Sequence, residues 1–341
     1  MSYRARWAWT TACAAVLVTV TSQSAGAPPP NQAEPPYRIS MVLPREEQNI
    51  EAGFRDYLAK RKLPVRIDVL RFSGKAEDGP ALVRQLRESK PQLIYTWGTG
   101  TTLAVAGPYD APAGKFIQDI PVVFTEVTDP LGSHLLRQLD PPGRNVTGVS
   151  HVAPLPAQLN AIRGYRPFKR LGYIVNPKES NTQLVADALG KLAKEQGFEL
   201  VQETVPLDAT GNPDPHALKD VIDKIAARKV DFLYIGPSTF LAFTHRDQVT
   251  ELALQAKLPT FCATESIVRK ARCMFGLFSH GSNVGRFAAH KAAQVLAEGK
   301  RVDTIPAETL QRFSLLINMP TVKALDLYPP LALLNVAEVI Q

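Results

Sequence analysis

The side chains best placed for chemistry stand where short apolar runs end. Thr99, Thr101, Asp129, Asn176, Ser180, Ser238 and Glu265 each follow such a run, and Trp97 closes another. Hydroxyls and free backbone N–H groups at a helix start hold an anionic group, so Thr99 and Thr101 are assigned to one. Asp129 and Glu265 are assigned to a cationic or hydrogen-bond-donating group, with Trp97 or Phe278 as an apolar wall. Each assignment has a plainer rival. A Ser, Thr, Asn or Asp at a helix start is an ordinary cap, and Trp97 also fits as packing beneath a loop.

No catalytic set assembles around these residues. The chain has no G-x-S-x-G elbow and no phosphate loop, and Gly98-Thr99-Gly100 lacks the third glycine of a dinucleotide turn. Its six histidines (His134, His151, His216, His245, His280, His290) show no zinc-protease spacing. The residues therefore point to binding without catalysis, cofactor or metal.

The elements that position these residues alternate. Apolar runs at 38–43, 65–72, 93–96, 120–125 and 146–149 read as strands. Amphipathic stretches at 48–61, 80–89, from 101 and 131–139 read as helices. The rhythm restarts at 170: strands at 170–175, 198–205, 231–235 and 260–262, and helices at 181–196, 216–228 and 243–255. Short apolar strands flanked by amphipathic helices predict parallel sheets covered on both faces. The fold class is α/β, with two doubly wound parallel-sheet lobes and a ligand cleft between them. Lobe 1 takes residues 37–150 plus about 284–311, and lobe 2 takes 151–283 plus about 312–341. Three crossings join them, near 150–156, 278–283 and 312–318. Two crossings carry Ser-His, at Ser150-His151 and Ser279-His280. The histidines are expected either to meet at the cleft floor or to be satisfied separately.

Composition agrees with a globular protein of this size. The 341 residues are 45% hydrophobic and 21% charged, and they include three cysteines. Those figures exclude a disordered chain, a disulfide-dense mini-scaffold and a multi-span membrane protein. The formal charge of +7 is spread along the chain, which reads as a solvated surface and not a nucleic-acid patch. Residues 1–27 have a basic start, an apolar run and a small-residue end, the order of a secretory signal peptide, with an uncleaved anchor as the rival reading. Its removal takes away Arg4 and Arg6 and lowers the charge to +5. A proline-rich leader at 28–36 follows. The mature chain is expected to be periplasmic or otherwise exported, where its two remaining cysteines, Cys262 and Cys273, form either a disulfide between neighbouring strands or two buried thiols.

Two segments carry a family resemblance: Ile120-Pro-Val-Val-Phe-Thr-Glu-Val-Thr-Asp-Pro130 and Pro142-Gly-Arg-Asn-Val-Thr-Gly-Val-Ser150. With Tyr173-Ile-Val-Asn-Pro-Lys-Glu-Ser-Asn181, Leu258-Pro-Thr-Phe261 and the tail from Tyr328, the chain resembles ABC-transporter substrate-binding proteins related to the tryptophan/tyrosine-binding type. The resemblance spans nearly the whole mature chain. It implies a type I periplasmic-binding-protein fold that traps a small polar or aromatic, amino-acid-like solute for a membrane permease, as a monomer. The rival is a sensor that signals to a membrane receptor through the same cleft. One departure concerns the ligand: an aspartate often seen after the strand at Tyr234 is replaced by Ser238-Thr239.

Overall fold

The computed structural model describes residues 36–341, so the signal segment and nearly all of the leader lie outside the described residues. The chain begins with β1 (Tyr37–Leu43), α1 (Asn49–Lys60), β2 (Val65–Arg71), α2 (Gly79–Ser89), β3 (Leu93–Trp97), α3 (Thr99–Ala106), β4 (Val122–Thr125) and β5 (Val146–Ser150). A second run follows: α4 (Leu155–Tyr165), β6 (Arg170–Val175), α5 (Ser180–Gln196), β7 (Glu199–Thr204), α6 (Leu218–Ala227), β8 (Phe232–Ile235), α7 (Arg246–Gln255), β9 (Thr260–Cys262), α8 (Glu265–Lys270) and β10 (Phe275–Phe278). The chain then returns through α9 (Gly281–Leu296) and β11 (Glu308–Thr309), and ends with β12 (Ser314–Asn318), α10 (Met319–Leu325), α11 (Leu331–Leu334) and β13 (Glu338–Ile340).

The strands form two sheets, ordered β11-β5-β4-β3-β1-β2 and β13-β12-β10-β9-β8-β6-β7. Setting aside the later strands, both show the same 2-1-3-4-5 winding, so the duplication is one of architecture. Every pair in the first sheet is parallel. In the second, β10 and β12 form the one antiparallel pair, and β13 runs parallel to β12. The central strands β3, β4, β5 and β8 are buried along their whole length, as sheets covered on both faces require. The chain passes from one sheet to the other after β5, after β10 and after β11, and Val152 forms a bridge with Phe278 where the first two passages run side by side.

Two expected elements differ. Residues 131–139 form a turn and not a helix. The Asp129 carboxylate accepts from the N–H groups of Leu131 and Gly132, which starts one turn, and His134 then adopts φ 58, which stops it. The expected helix 243–255 begins instead with a π turn, Phe240–Thr244, in which His245 N–H reaches back five residues to Phe240 O.

Helices α1 and α9 meet at backbone distance because of glycine. A Cβ on Gly53 would lie 2.2 Å from Ser282 O, and one on Gly285 would lie 1.8 Å from Ile50 O. Both obstacles are backbone, so the helices would have to separate. In the second lobe, Cys262 and Cys273 form a disulfide with their Cα atoms 6.4 Å apart.

Two outcomes follow from these contacts. Gly285→Ala should lower the unfolding free energy by about 1–3 kcal/mol in urea titration, the range for overpacking. Gly190→Ala, in α5 with nothing within 4 Å of the new methyl, should instead raise it by about 0.5–1 kcal/mol. Equal shifts for the two would refute the close-packing argument. For the disulfide, unfolding without reductant should expose no thiol from Cys262 or Cys273, and two titrating thiols would contradict the bridge.

Candidate functional site

The carboxyl ends of both sheets face one cleft of about 1140 Å³, a little above the usual range of small-molecule sites. The first lobe lines it with Pro44 after β1, with Trp97 to Thr101 at β3 and α3, and with Glu126 and Thr128 after β4. The second contributes Asn176 and Lys178 to Asn181 after β6, Pro237 to Phe240 with Phe243 and Thr244 after β8, and Thr264 after β9. Ligands of doubly wound sheets are expected at this end, and strand order reverses between β1 and β3 and between β6 and β8.

The approach to α3 depends on Gly98. Its φ of 81° belongs to glycine, and its N–H bonds Thr125 O while its carbonyl accepts from Thr102 Oγ1. That geometry turns β3 into α3 within one residue and puts the start of the helix, Thr99 to Thr101, on the cleft wall. Thr99 Oγ1 accepts from Thr128 N–H, and the Thr128 hydroxyl itself is buried without a partner. The indole Nε1 of Trp97, Thr264 Oγ1 and Ser133 Oγ are likewise buried, cleft-lining and unpartnered. An unmet buried donor costs about 1–3 kcal/mol, so this clustering at one cleft is chemically informative.

Trp97 is held from two sides. Arg45, just past β1, places its guanidinium 4.4 Å from the indole centroid, and Phe243 of the other lobe packs edge-on at 4.9 Å. Arg45 is itself fixed by the fully buried Glu51 of α1, through Nη1–Oε2 at 2.8 Å and Nη2–Oε1 at 3.1 Å. Glu51 also accepts from Tyr95 Oη and from Gln48 N–H, the latter completing a capping box for α1.

Of the residues expected from sequence, the structure brings Trp97, Thr99, Thr101, Asn176, Ser180 and Ser238 to one cleft. Asn176 and Ser238 are also engaged locally: Asn176 Oδ1 accepts from Lys178 N–H and Ser238 Oγ from Leu241 N–H. Three residues do not line the cleft. Asp129 caps the turn described above. Phe278 is enclosed in the core of the second lobe, because both faces of β10 are covered. Glu265 is pinned at the seam between lobes, accepting from Asn49 Nδ2, Gly281 N–H and Arg269 Nε. Burial pushes the Glu265 carboxyl up, but Gly281 N–H, Arg269 and His280 outweigh it and hold the pKa below the ordinary value. The apolar wall opposite Trp97 is Phe243, which sequence reasoning did not select. Its signal lay one turn beyond Ser238, among residues read as plain helix.

The two crossing histidines do not pair with each other. His280 faces Glu265 and Glu338, with Nδ1 3.2 Å and Nε2 2.7 Å from the respective carboxylates. His151 faces Glu126, its Nε2 3.1 Å from Oε2, with side chains 3% and 9% exposed. That contact lies off the ring's hydrogen-bonding direction, and neither ring nitrogen has an aligned partner. Burial lowers the His151 pKa to about 3. Burial likewise raises Glu126 to about 8, with Arg45 pulling it down and Glu51 and Glu265 pushing it up.

These shifts set a pH dependence of stability. Between the ordinary values of 4.5 and 6.5, the folded pair keeps one proton on Glu126 and the unfolded chain keeps one on His151, so the pair's contribution is flat. From 6.5 to about 8 only the folded state holds a proton, and stability falls as pH rises, by at most about 1.4 kcal/mol per unit. From 4.5 down to about 3 the unfolded chain holds the extra proton, and stability falls again. Urea titrations of wild type and Glu126→Gln should therefore diverge in slope between pH 6.5 and 8, and parallel curves there would disprove the assignment.

Known proteins place this architecture. The family model described as ABC transporter substrate binding protein matches residues 47–340. A "Tyrosine-binding protein" of Clostridioides difficile (strain R20291) is 29% identical over 265 residues, covering 77% of this chain and 71% of that relative. A conserved domain protein from Vibrio cholerae superposes with a TM-score of 0.78 at 25% identity, over 89% of this chain and 99% of the other. The ABC domain from Streptococcus pneumonia in complex with L-Trp gives 0.75 at 21% identity, over 89% and 100%. The two sheets, the three crossings and these superpositions define a type I periplasmic-binding-protein-like fold. The chain belongs to the ABC transporter substrate binding protein family.

Proposed function

We propose that this chain is an exported solute-binding protein of an ABC importer, acting as a monomer and without catalysis. It captures an amino-acid-like solute with an aromatic or otherwise flat side chain between its lobes and presents it to a membrane permease. One observation carries the reading: unpartnered polar atoms of Trp97, Thr128 and Thr264 converge from both lobes on one large cleft. The aromatic pair of Trp97 and Phe243 suits a flat apolar group, and the N–H groups at the start of α3, with Thr99 and Thr101, suit a carboxylate. Asn176, Ser180 and Ser238 complete the polar rim from the second lobe. The names of the C. difficile and S. pneumonia relatives support an aromatic amino acid as the first ligand to try.

Capture needs no covalent step. A ligand that touches both lobes favours their approach through its differential contacts. Among the described residues no helix is long and apolar enough to cross a membrane, so association with the permease would be surface docking by this part of the chain.

Native mass spectrometry of protein purified without refolding should show a retained small molecule. Thermal unfolding should then rise with L-tyrosine or L-tryptophan, by about 2.7 kcal/mol at a hundredfold excess over Kd. Thr101→Ala, which removes one contact to the carboxylate, should weaken this response without moving the ligand-free melting point by more than about a degree or two. A protein that retains nothing and responds to no amino acid would defeat the proposal.

A further inference from the structure

We propose that Glu126 and His151 form a one-proton recognition site at the cleft floor, at which a ligand's cationic amine displaces that proton on capture. This deepens the solute-binding reading and rests on it.

Geometry makes the case. Both side chains line the cleft, come from different strand ends, and lie 3.1 Å apart. Glu126 holds φ 59, an uncommon conformation for a residue with a side chain, immediately after β4. Backbone strain retained at a strand end that opens on the cleft suggests that the direction of this side chain matters. No protein donor is hydrogen-bonded to its carboxyl among the described residues, and both imidazole nitrogens of His151 lack an aligned partner. Hydrogen-bonding capacity on both groups is therefore open to a ligand.

The charged surroundings favour a cation. Arg45 from the end of β1, Glu51 from α1 and Glu265 from α8 are the groups whose charges act on Glu126, two acids against one base. Arg45 is already matched bidentately by Glu51. An ionised Glu126 thus has no positive partner of its own, and burial keeps it protonated. The pair holds one proton at neutral pH, whether it sits on the carboxyl or on the ring.

An arriving ammonium supplies the missing charge. Glu126 ionises and accepts two hydrogen bonds from the R–NH3+ group, His151 remains neutral, and the displaced proton passes to the solvent. Charge balances, because one cation enters and one proton leaves. The start of α3 offers donors and the floor pair offers acceptors, so the cleft matches a molecule carrying an anion and an amine. The same argument supplies the acid that Ser238-Thr239 does not, from a different strand.

The test is calorimetric titration of the whole protein in buffers of different ionisation enthalpy, at pH 7. The probes are L-tyrosine, L-tryptophan, tyramine and the desamino acid 3-(4-hydroxyphenyl)propionate, alongside a pH titration of 13C-labelled Glu126 in the ligand-free protein. The expected result is release of close to one proton with amine-bearing probes only. In Glu126→Gln that release should vanish, with affinity weakened on the order of a hundredfold. Amine-bearing probes that bind without proton release, or a desamino acid that binds as tightly, overturn the site and leave the solute-binding reading standing. If no probe binds, the aromatic amino-acid reading falls. In that event a Glu126 carboxyl that ionises in the ordinary range overturns the one-proton pair as well, and one still protonated at pH 7 sustains it. The wild-type arms decide the matter even if the variant fails to fold.

Discussion

A single buried carboxylate, Glu51, sets the geometry of the first lobe's share of the cleft. It has no exposure, and its neighbours are all donors: Arg45 twice, Tyr95 Oη and Gln48 N–H. Through them one residue ties the start of α1 to the ends of β1 and β3. Buried ion pairs are weak evidence of net stability, yet removing one partner of such a pair typically costs about 3–5 kcal/mol. Its effect here is largely positional. The guanidinium that Glu51 fixes lies against Trp97 and, at 5.0 Å, against Phe243 of the opposite lobe. The buried charge also reaches Tyr95, whose hydroxyl is kept firmly protonated, first by burial and then by Glu51.

The second lobe solves a similar problem with Glu179. This carboxylate accepts from the N–H groups of Thr239 and Phe240 and so caps the π turn that carries Phe243. Burial pushes its pKa up against the pull of Ser238, Asn176 and those two amides. Each lobe thus aims its half of the aromatic contact with an acid at the start of a neighbouring helix. At the seam a third acid, Glu265, joins α8 to the starts of α1 and α9, where glycines let backbones approach closely. Cleft and hinge therefore share parts of α1: Glu51 serves one and Asn49 the other.

Much of this was legible in the sequence, for identifiable reasons. Alternating strands and helices imply parallel sheets, and parallel sheets gather ligands at their carboxyl ends. That logic led to Trp97, Thr99, Thr101, Asn176, Ser180 and Ser238. It could not tell a side chain open to the cleft from one already engaged by its own backbone. Asp129 meets the amides of Leu131 and Gly132, a contact that depends on a left-handed residue at His134. Phe278 and Phe243 are both aromatic residues near strand ends, and only tertiary packing decides which one faces the other lobe. Glu126 and His151 were hidden differently. Glu126 reads as one residue of a family-like stretch and His151 as one of a crossing, and the approach of β4 to β5 is what joins them.

The π turn between β8 and α7 has a mechanical meaning. A hydrogen bond spanning five residues inserts one residue into the helical ladder and shifts every later side chain by about 100° around the axis. Val249 and Ala253 keep their places in the second lobe's core, while Phe243 packs with the first lobe. The turn thus works as a phase offset between two faces of one continuous stretch. Within the turn, Leu241 and Ala242 are buried in the second lobe's core, so one short segment serves both faces. Loss of the inserted residue would therefore turn Phe243 away from Trp97 or displace Leu241 and Ala242 from the core of their own lobe.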